Sequence, residues 1–141
     1  MTAYDDSNIF ARILKGELPC HEVWQDESVL AFMDIAPMTS GHVLILPKAP
    51  SRNLLDADAS VLSDLIVKVQ RIARATKEAL EADGIMIQQF NEAPAGQSVF
   101  HLHFHVLPRW QGKPLNAHAG EAAQPELLIR QAASIRRAMG G

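Results

Sequence analysis

One cysteine and one tyrosine stand in a chain of 141 residues, aromatic side chains make up only 6%, and neither sign of charge dominates. A single thiol, Cys20, cannot form an intramolecular disulfide or build a zinc site from several thiolates, which fits a reducing compartment. Cys20 itself reads as a bystander. The 13 Lys and Arg against 16 Asp and Glu leave a net charge of −3, without the basic stripe that tracks a phosphate backbone. Polymeric nucleic acid is therefore not an expected partner. No apolar run approaches the roughly 18 residues of a membrane span. The segment from Met1 to Ser7 is polar and acidic where a secretion signal needs basic and then apolar residues. These absences predict a soluble, cytoplasmic protein with no membrane partner. With 48% hydrophobic residues, the chain can bury one sizeable core and is short for two domains.

What is present is a succession of apolar segments separated by turn chemistry. Apolar residues at positions 9, 10, 13 and 14 predict a short helix stopped by Gly16. Glu22 to Gln25 and Val29 to Ile35 predict a hairpin around Asp26-Glu27-Ser28, and His42 to Pro47 predicts a third, central strand ended by proline. From Ser60 to Ala82 apolar side chains recur at three- and four-residue steps. This predicts the longest helix, with Asp58 or Ser60 at its start and Gly84 as its terminator. Ile85 to Phe90 and Val99 to Leu107 predict two more strands around a loop over 91–98, the second stopped by Pro108. Past Trp110 the composition is irregular until Pro125 opens a helix closed by Gly140. The order lacks the strict strand and helix alternation of a doubly wound sheet. It predicts an α+β fold: a mostly antiparallel five-stranded sheet, one long and one short helix, and a C-terminal helix at about 125–139. Residues 1–110 are expected to form the domain and 111–141 an extension that packs on it or stays free.

The chemistry concentrates in Phe100-His101-Leu102-His103-Phe104-His105-Val106-Leu107, which holds three of the 6 histidines. On a strand, alternate residues share a face, so the imidazoles would line one side about 6.5 Å apart while Leu102, Phe104 and Val106 face the core. Three readings compete. An ordinary polar face would mix Thr, Lys and Glu rather than repeat imidazole. A metal site fits His-x-His on a strand, yet no acid follows in Val106-Leu107-Pro108-Arg109. Covalent catalysis uses one neutral imidazole as nucleophile while others orient it and move protons, a chemistry suited to phosphorus. His42 follows the turn Ser40-Gly41, and Ala95-Gly96-Gln97-Ser98 precedes the histidine row. Backbone amides of that turn, with the Ser98 hydroxyl and the Asn91 amide, can bind phosphate oxygens without Lys or Arg. Asp34, between apolar neighbours, can accept both hydroxyls of a ribose.

The run His101 to Leu107 resembles the His-φ-His-φ-His-φ-φ signature of the histidine triad (HIT) family. The resemblance spans residues 8–109 through further blocks in order: Ile9-Phe10 with Lys15 to Pro19, Ala31 to Pro37, Gly41 to Lys48, and Asn91 with Ala95 to Val99. It is most similar to the Hint-like branch. The resemblance implies a purine nucleoside monophosphate derivative, AMP-like or GMP-like, as the substrate, no cofactor, and a homodimer that joins two sheets. It implies His103 as the nucleophile that attacks the α-phosphorus and His105 at the phosphate or leaving group. His101 and His42 would orient and exchange protons, and Ser98 would assist the leaving group. Asp34 corresponds to the ribose-binding acid. Ile9, Phe10, Phe32 and Ile35 correspond to residues near the base, and Asn91, Gln97 and Val99 to the phosphate-side loop.

The chain also departs from the pattern. Many bacterial members hold a structural zinc through a Cys-x-x-Cys pair and a later histidine; here those positions are Asn8, Ala11 and Pro50, so no metal is expected. Ala93 stands where glycine is common, followed by Pro94, which predicts a backbone conformation open to alanine. His21 and His118 match no motif and read as surface residues. The expected activity is hydrolysis of a P–N bonded nucleotide such as a nucleoside phosphoramidate through a nucleotidyl-histidine, because a protonated amine leaves phosphorus readily. The alternatives are a dinucleoside polyphosphate hydrolase, a nucleotide-binding regulatory protein with incidental turnover, and a metal-dependent hydrolase.

Overall fold

Apolar runs bounded by tight turns pair with one another where a short connection allows it, and in this chain they build one antiparallel sheet. The computed structural model describes residues 2–116 and 121–140. Strands β1 (Glu22–Gln25), β2 (Val29–Met33), β3 (Val43–Pro47), β4 (Gly84–Gln88) and β5 (Phe104–Arg109) lie in the order β1-β2-β3-β5-β4. The unbroken apolar run of β3 takes the central position. Helices α1 (Ile9–Leu14), α2 (Ala59–Ala79) and α3 (Pro125–Ala138) complete the expected α+β fold. Among the described residues no helix is long and apolar enough to cross a membrane.

Every residue of β2 and β3 is buried, because both faces of the sheet are covered. Val29, Ala31, Met33, Val43, Ile45 and Val106 join Leu65 and Ile72 of α2 and Leu128 and Ile135 of α3 in the main core. Leu30, Phe32, Leu44 and Leu46 form a smaller cluster with Phe10 of α1. Helix α3 packs on α2 and reaches β1 and β2. Its Arg136 donates to the carbonyls of Val23 (2.9 Å) and Glu22 (2.6 Å), which closes the β1 edge. The other edge of the sheet is β4.

Strands β2, β3 and β4 differ by one or two residues from the bounds the sequence predicts, and two boundaries differ for a definite physical reason. Helix α2 ends at Ala79 with Leu80 as its cap, and Glu81 takes the left-handed conformation (φ 52°) that the sequence reading gave to Gly84; Gly84 instead opens β4. The amide of Ala82 meets the carbonyl of Lys77 (3.0 Å), so the last turn is satisfied without glycine. Strand β5 begins at Phe104, not Val99, and runs through Pro108 to Arg109. Phe104 pairs with Ile45, so a longer ladder would set Leu102 against Pro47, which has no N–H to give. The Leu102 amide turns to the carbonyl of Ser51 instead (2.9 Å). At the other end Pro108 lies past the start of β3 and pairs with Ile85 of β4 alone.

Candidate active site

The site begins at a turn that favours glycine. Gly41 has φ 84°, and a Cβ there would collide with Cδ1 of Leu80 and lie 3.1 Å from Cγ of Pro108. The next residue, His42, is fully buried. Its Nδ1 accepts the amide of Met38 (3.2 Å), so in the neutral ring the proton sits on Nε2, which lies 2.9 Å from Nδ1 of His105. The neutral His105 then carries its own proton on Nε2.

His103 has the opposite arrangement. Its Nδ1 lies 2.6 Å from the backbone carbonyl of His101, and because a carbonyl only accepts, Nδ1 is protonated and the lone pair sits on Nε2. His101 is fully buried, with Nε2 donating to the carbonyl of Pro47 (2.8 Å) and Nδ1 2.6 Å from the Tyr4 hydroxyl. Burial holds the His101 pKa below its ordinary value, which favours the neutral ring. The rings of His103 and His105 meet edge to face at 5.0 Å, and Phe10 meets His103 at 4.8 Å. The alternation read from the sequence therefore survives, although His101 and His103 precede the strand and only His105 lies within it.

A cavity of about 390 Å³ opens onto His103 and His105. Ile9, Phe10, Phe32, Ile35, Ser98 and Val99 wall it, and Asp34 joins them. Ile9 and Ile35 are 53% and 61% exposed, whereas Phe10 and Phe32 are 6% and 4% exposed, so apolar wall runs from the mouth to the floor. Such a wall suits an apolar or weakly polar group. Sequence reasoning missed part of this wall: Ile13, Leu18, Pro19, Cys20 and Leu44 also line it. Cys20 is thus no bystander in position, although burial raises its thiol pKa and keeps it protonated. Leu44 lies on β3, and the last turn of α1 and the segment after it reach the cavity only through the fold.

Asp34 Oδ1 accepts the amide of Ala36 (2.9 Å), and Oδ2 stands 3.6 Å from Nδ1 of His42, beyond hydrogen-bond length. Asp34, His42 and His105 each offer one donor atom, all within 4.8 Å of one another, and so form a group able to hold a metal ion among the described residues. The acid absent from the histidine segment itself is supplied by the end of β2. A metal there would compete with the hydrogen bond between His42 and His105.

Asn91 and Gln97, expected on the phosphate side, do not line the cavity; their amides are engaged within the protein. The Gln97 oxygen accepts from Asn53 (3.1 Å) and the Glu92 amide (2.7 Å), and its nitrogen donates to the carbonyls of Arg52 (2.8 Å) and Val99 (3.0 Å). Asn91 Oδ1 accepts the amide of Leu54 (2.9 Å) and the side chain of Gln89 (2.8 Å). The unusual backbone falls on Glu92 (φ 77°), one residue before Ala93. Its carboxylate accepts from Arg52 through two nitrogens, each at 2.9 Å, and from Asn53 at 2.6 Å. Arg52 also lies over the Phe100 ring at 4.1 Å. This clamp holds the positive-φ backbone at Glu92 and fixes the loop that carries Ser98 and Val99. His21 is half-buried and does not line the cavity. His118 lies outside the described residues.

A HIT domain model matches residues 15–112. A HIT-like protein from Bartonella henselae, described as involved in cell-cycle regulation, superposes with a TM-score of 0.90 at 48% identity, over 96% of this chain and 99% of that one. A HIT family hydrolase from Clostridium thermocellum superposes with a TM-score of 0.67 at 32% identity, over 78% of this chain and 96% of its own. The adenylylsulfatase HINT3 of Arabidopsis thaliana is 33% identical over 133 residues, which is 87% of this chain and 68% of that protein.

Proposed function

The chain belongs to the HIT domain family, which includes hydrolases, and from that premise we propose that it cleaves the α-phosphorus bond of purine nucleoside 5′-monophosphate derivatives through a nucleotidyl-histidine intermediate. One observation carries the reading: His103 Nδ1 lies 2.6 Å from the His101 carbonyl and His105 Nδ1 lies 2.9 Å from His42 Nε2, contacts that in the neutral rings leave a lone pair on His103 Nε2 and a proton on His105 Nε2. His103 is thus in the tautomer of a nucleophile, and His105 beside it is the acid once its ring takes up a second proton.

In the proposed reaction His103 Nε2 attacks the α-phosphorus of a nucleoside phosphoramidate. The P–N bond to the leaving amine breaks, and the amine departs with the Nε2 proton of a protonated His105, which is left neutral. Water then attacks the nucleotidyl-His103 and gives a proton to the neutral His105, the phosphorus–imidazole bond breaks, and the nucleoside monophosphate leaves with both histidines restored. His42 orients His105 through their 2.9 Å hydrogen bond, with the Asp34 carboxylate near enough to balance the charge. In this reading Asp34 binds the ribose, Ile9, Phe10, Phe32 and Ile35 hold the base, and Ser98 assists the leaving group. An adenylyl unit fits the name of the Arabidopsis relative, an adenylylsulfatase. The amine leaving group rests on the acid at His105, since amines need that proton more than phosphates do. The scheme calls for no metal. Homodimer formation through the β4 edge, where Ile87 is exposed, belongs to the same proposal.

Steady-state hydrolysis of adenosine 5′-phosphoramidate, with a chelator present and a diadenosine polyphosphate for comparison, tests the reading. Turnover that survives chelation, vanishes in His103→Ala and exceeds that of the polyphosphate is the expected result. A His103→Ala protein that stays active removes the nucleophile, and tight AMP binding without turnover of either substrate makes the protein a nucleotide-binding regulator.

A further inference from the structure

Tyr4 is the chain's one tyrosine and lies outside the region that the family model matches. It nevertheless touches the innermost member of the histidine row. Its hydroxyl lies 2.6 Å from Nδ1 of His101, and the two rings meet edge to face at 5.6 Å. Asn8 holds Tyr4 in place. Its side-chain nitrogen donates to the tyrosine hydroxyl (3.2 Å) and to the carbonyl of Asp5 (2.8 Å), while its oxygen caps α1 by accepting the Ala11 amide (2.9 Å).

The direction of each proton follows from the acceptors. The carbonyl of Pro47 can only accept, so His101 Nε2 donates to it and the neutral ring presents a lone pair at Nδ1. Tyr4 must then be the donor. Burial favours the neutral form of both partners, raising the tyrosine pKa and lowering that of the histidine. His101 in turn supplies the carbonyl that holds the Nδ1 proton of His103 at 2.6 Å. The chain of donors therefore runs from Tyr4 to the His101 ring, and the His101 backbone sets the tautomer of His103.

We infer that Tyr4 is a positioning residue for the reaction: its hydroxyl locks the ring and tautomer of His101 and thereby keeps the His101 carbonyl seated on His103 Nδ1. This rests on the reading of His103 as nucleophile. The N-terminal segment is then part of the catalytic unit. Without the hydroxyl, a buried ring nitrogen loses its partner, and the ring must rotate, exchange tautomer or admit water.

Tyr4→Phe in the full chain tests this, since it keeps the aromatic contact and deletes one oxygen. Long-range proton–nitrogen NMR of histidine-labelled protein reads the tautomers of His101 and His103 directly, with no substrate present. The expected result is a displaced His101 Nδ1 resonance, a broadened or displaced His103 pair, and a kcat lowered about tenfold, the cost of one lost buried hydrogen bond, with KM within about twofold of wild type. Unchanged histidine resonances overturn the inference, and so does a change confined to KM, which would make Tyr4 a binding residue. If wild type turns over neither substrate, the His103 reading fails on that arm alone. The NMR comparison still decides whether Tyr4 sets the state of the two histidines.

Discussion

The two faces of the sheet are both buried, yet they are built on different terms. The face under α2 and α3 presents Val29, Ala31, Met33, Val43, Ile45 and Val106 to aliphatic partners. Its stabilisation scales with apolar area, at about 25 cal/mol per Å², and no single partner is indispensable. The opposite face presents His42 and His105 beside Leu44 and Leu46, all of them buried. Each imidazole there has a defined partner, so what matters is the position of individual atoms. Since strand residues alternate between faces, neighbouring positions such as His105 and Val106 serve different ends. Chemistry and stability are thereby separated by one residue along the chain.

That separation predicts mutations that affect one property and spare the other. The largest effect is expected from His103→Ala, which should lower kcat/KM for a phosphoramidate by on the order of a thousandfold or more, about 4 kcal/mol of transition-state stabilisation. Its thermal midpoint should move only a few degrees, which calorimetry checks. Ile72→Ala, in the face under α2, should do the reverse: a loss of about 2–5 kcal/mol in urea unfolding with kcat per folded molecule unchanged. A tenfold fall in kcat for that variant would break the separation. Gly41→Ala sharpens it, because an added Cβ would press on both Leu80, next to α2, and Pro108 of β5 while Gly41 sets the entry of His42. It should cost about 1–3 kcal/mol and also lower kcat, the one substitution of the three expected to affect both properties.

The pattern of alternation is what made the fold legible. Five apolar segments bounded by turns gave five strands, and the buried central run of β3 was readable from His42 to Pro47. The start of β5 was not readable from its own residues, because Pro47 on the partner strand decides where pairing stops. In the same way the histidine row marked the candidate site, and Asp34, Ile9, Phe10, Phe32 and Ile35 line the cavity that opens onto it. The supports of the site stayed hidden. Tyr4 is 97 residues from His101, and Arg52 is 40 from Glu92, so no local periodicity joins either pair. Gln97 and Asn91 sit in the right loop, but which way their amides face depends on Asn53 and Leu54 across the fold.

The smallest expected effect lies at the rim of the helix-covered face, where charge replaces apolar area. Lys68 of α2 reaches Asp26 in the turn between β1 and β2, and also Asp64 (2.8 Å) and the Ser28 hydroxyl (2.7 Å). Burial pushes the Asp26 carboxyl up, but hydrogen bonds from Lys68 and from the amides of Ser28 and Val29 outweigh it and bring the pKa to about 2. A carboxyl held below its unfolded value of 3.8 adds stability above that pH and loses it as the pH falls toward 2. With screening by solvent at this rim, the contribution is about 1 kcal/mol. Asp26→Asn keeps the acceptor for the turn amides and removes the charge, so the stability difference from wild type should be present at pH 7 and close between pH 3.8 and about 2. Denaturant unfolding across that window measures it. A difference that persists at the acid end would assign the effect to the geometry of the turn, and the rim would then work by the same contact packing as the core beneath it.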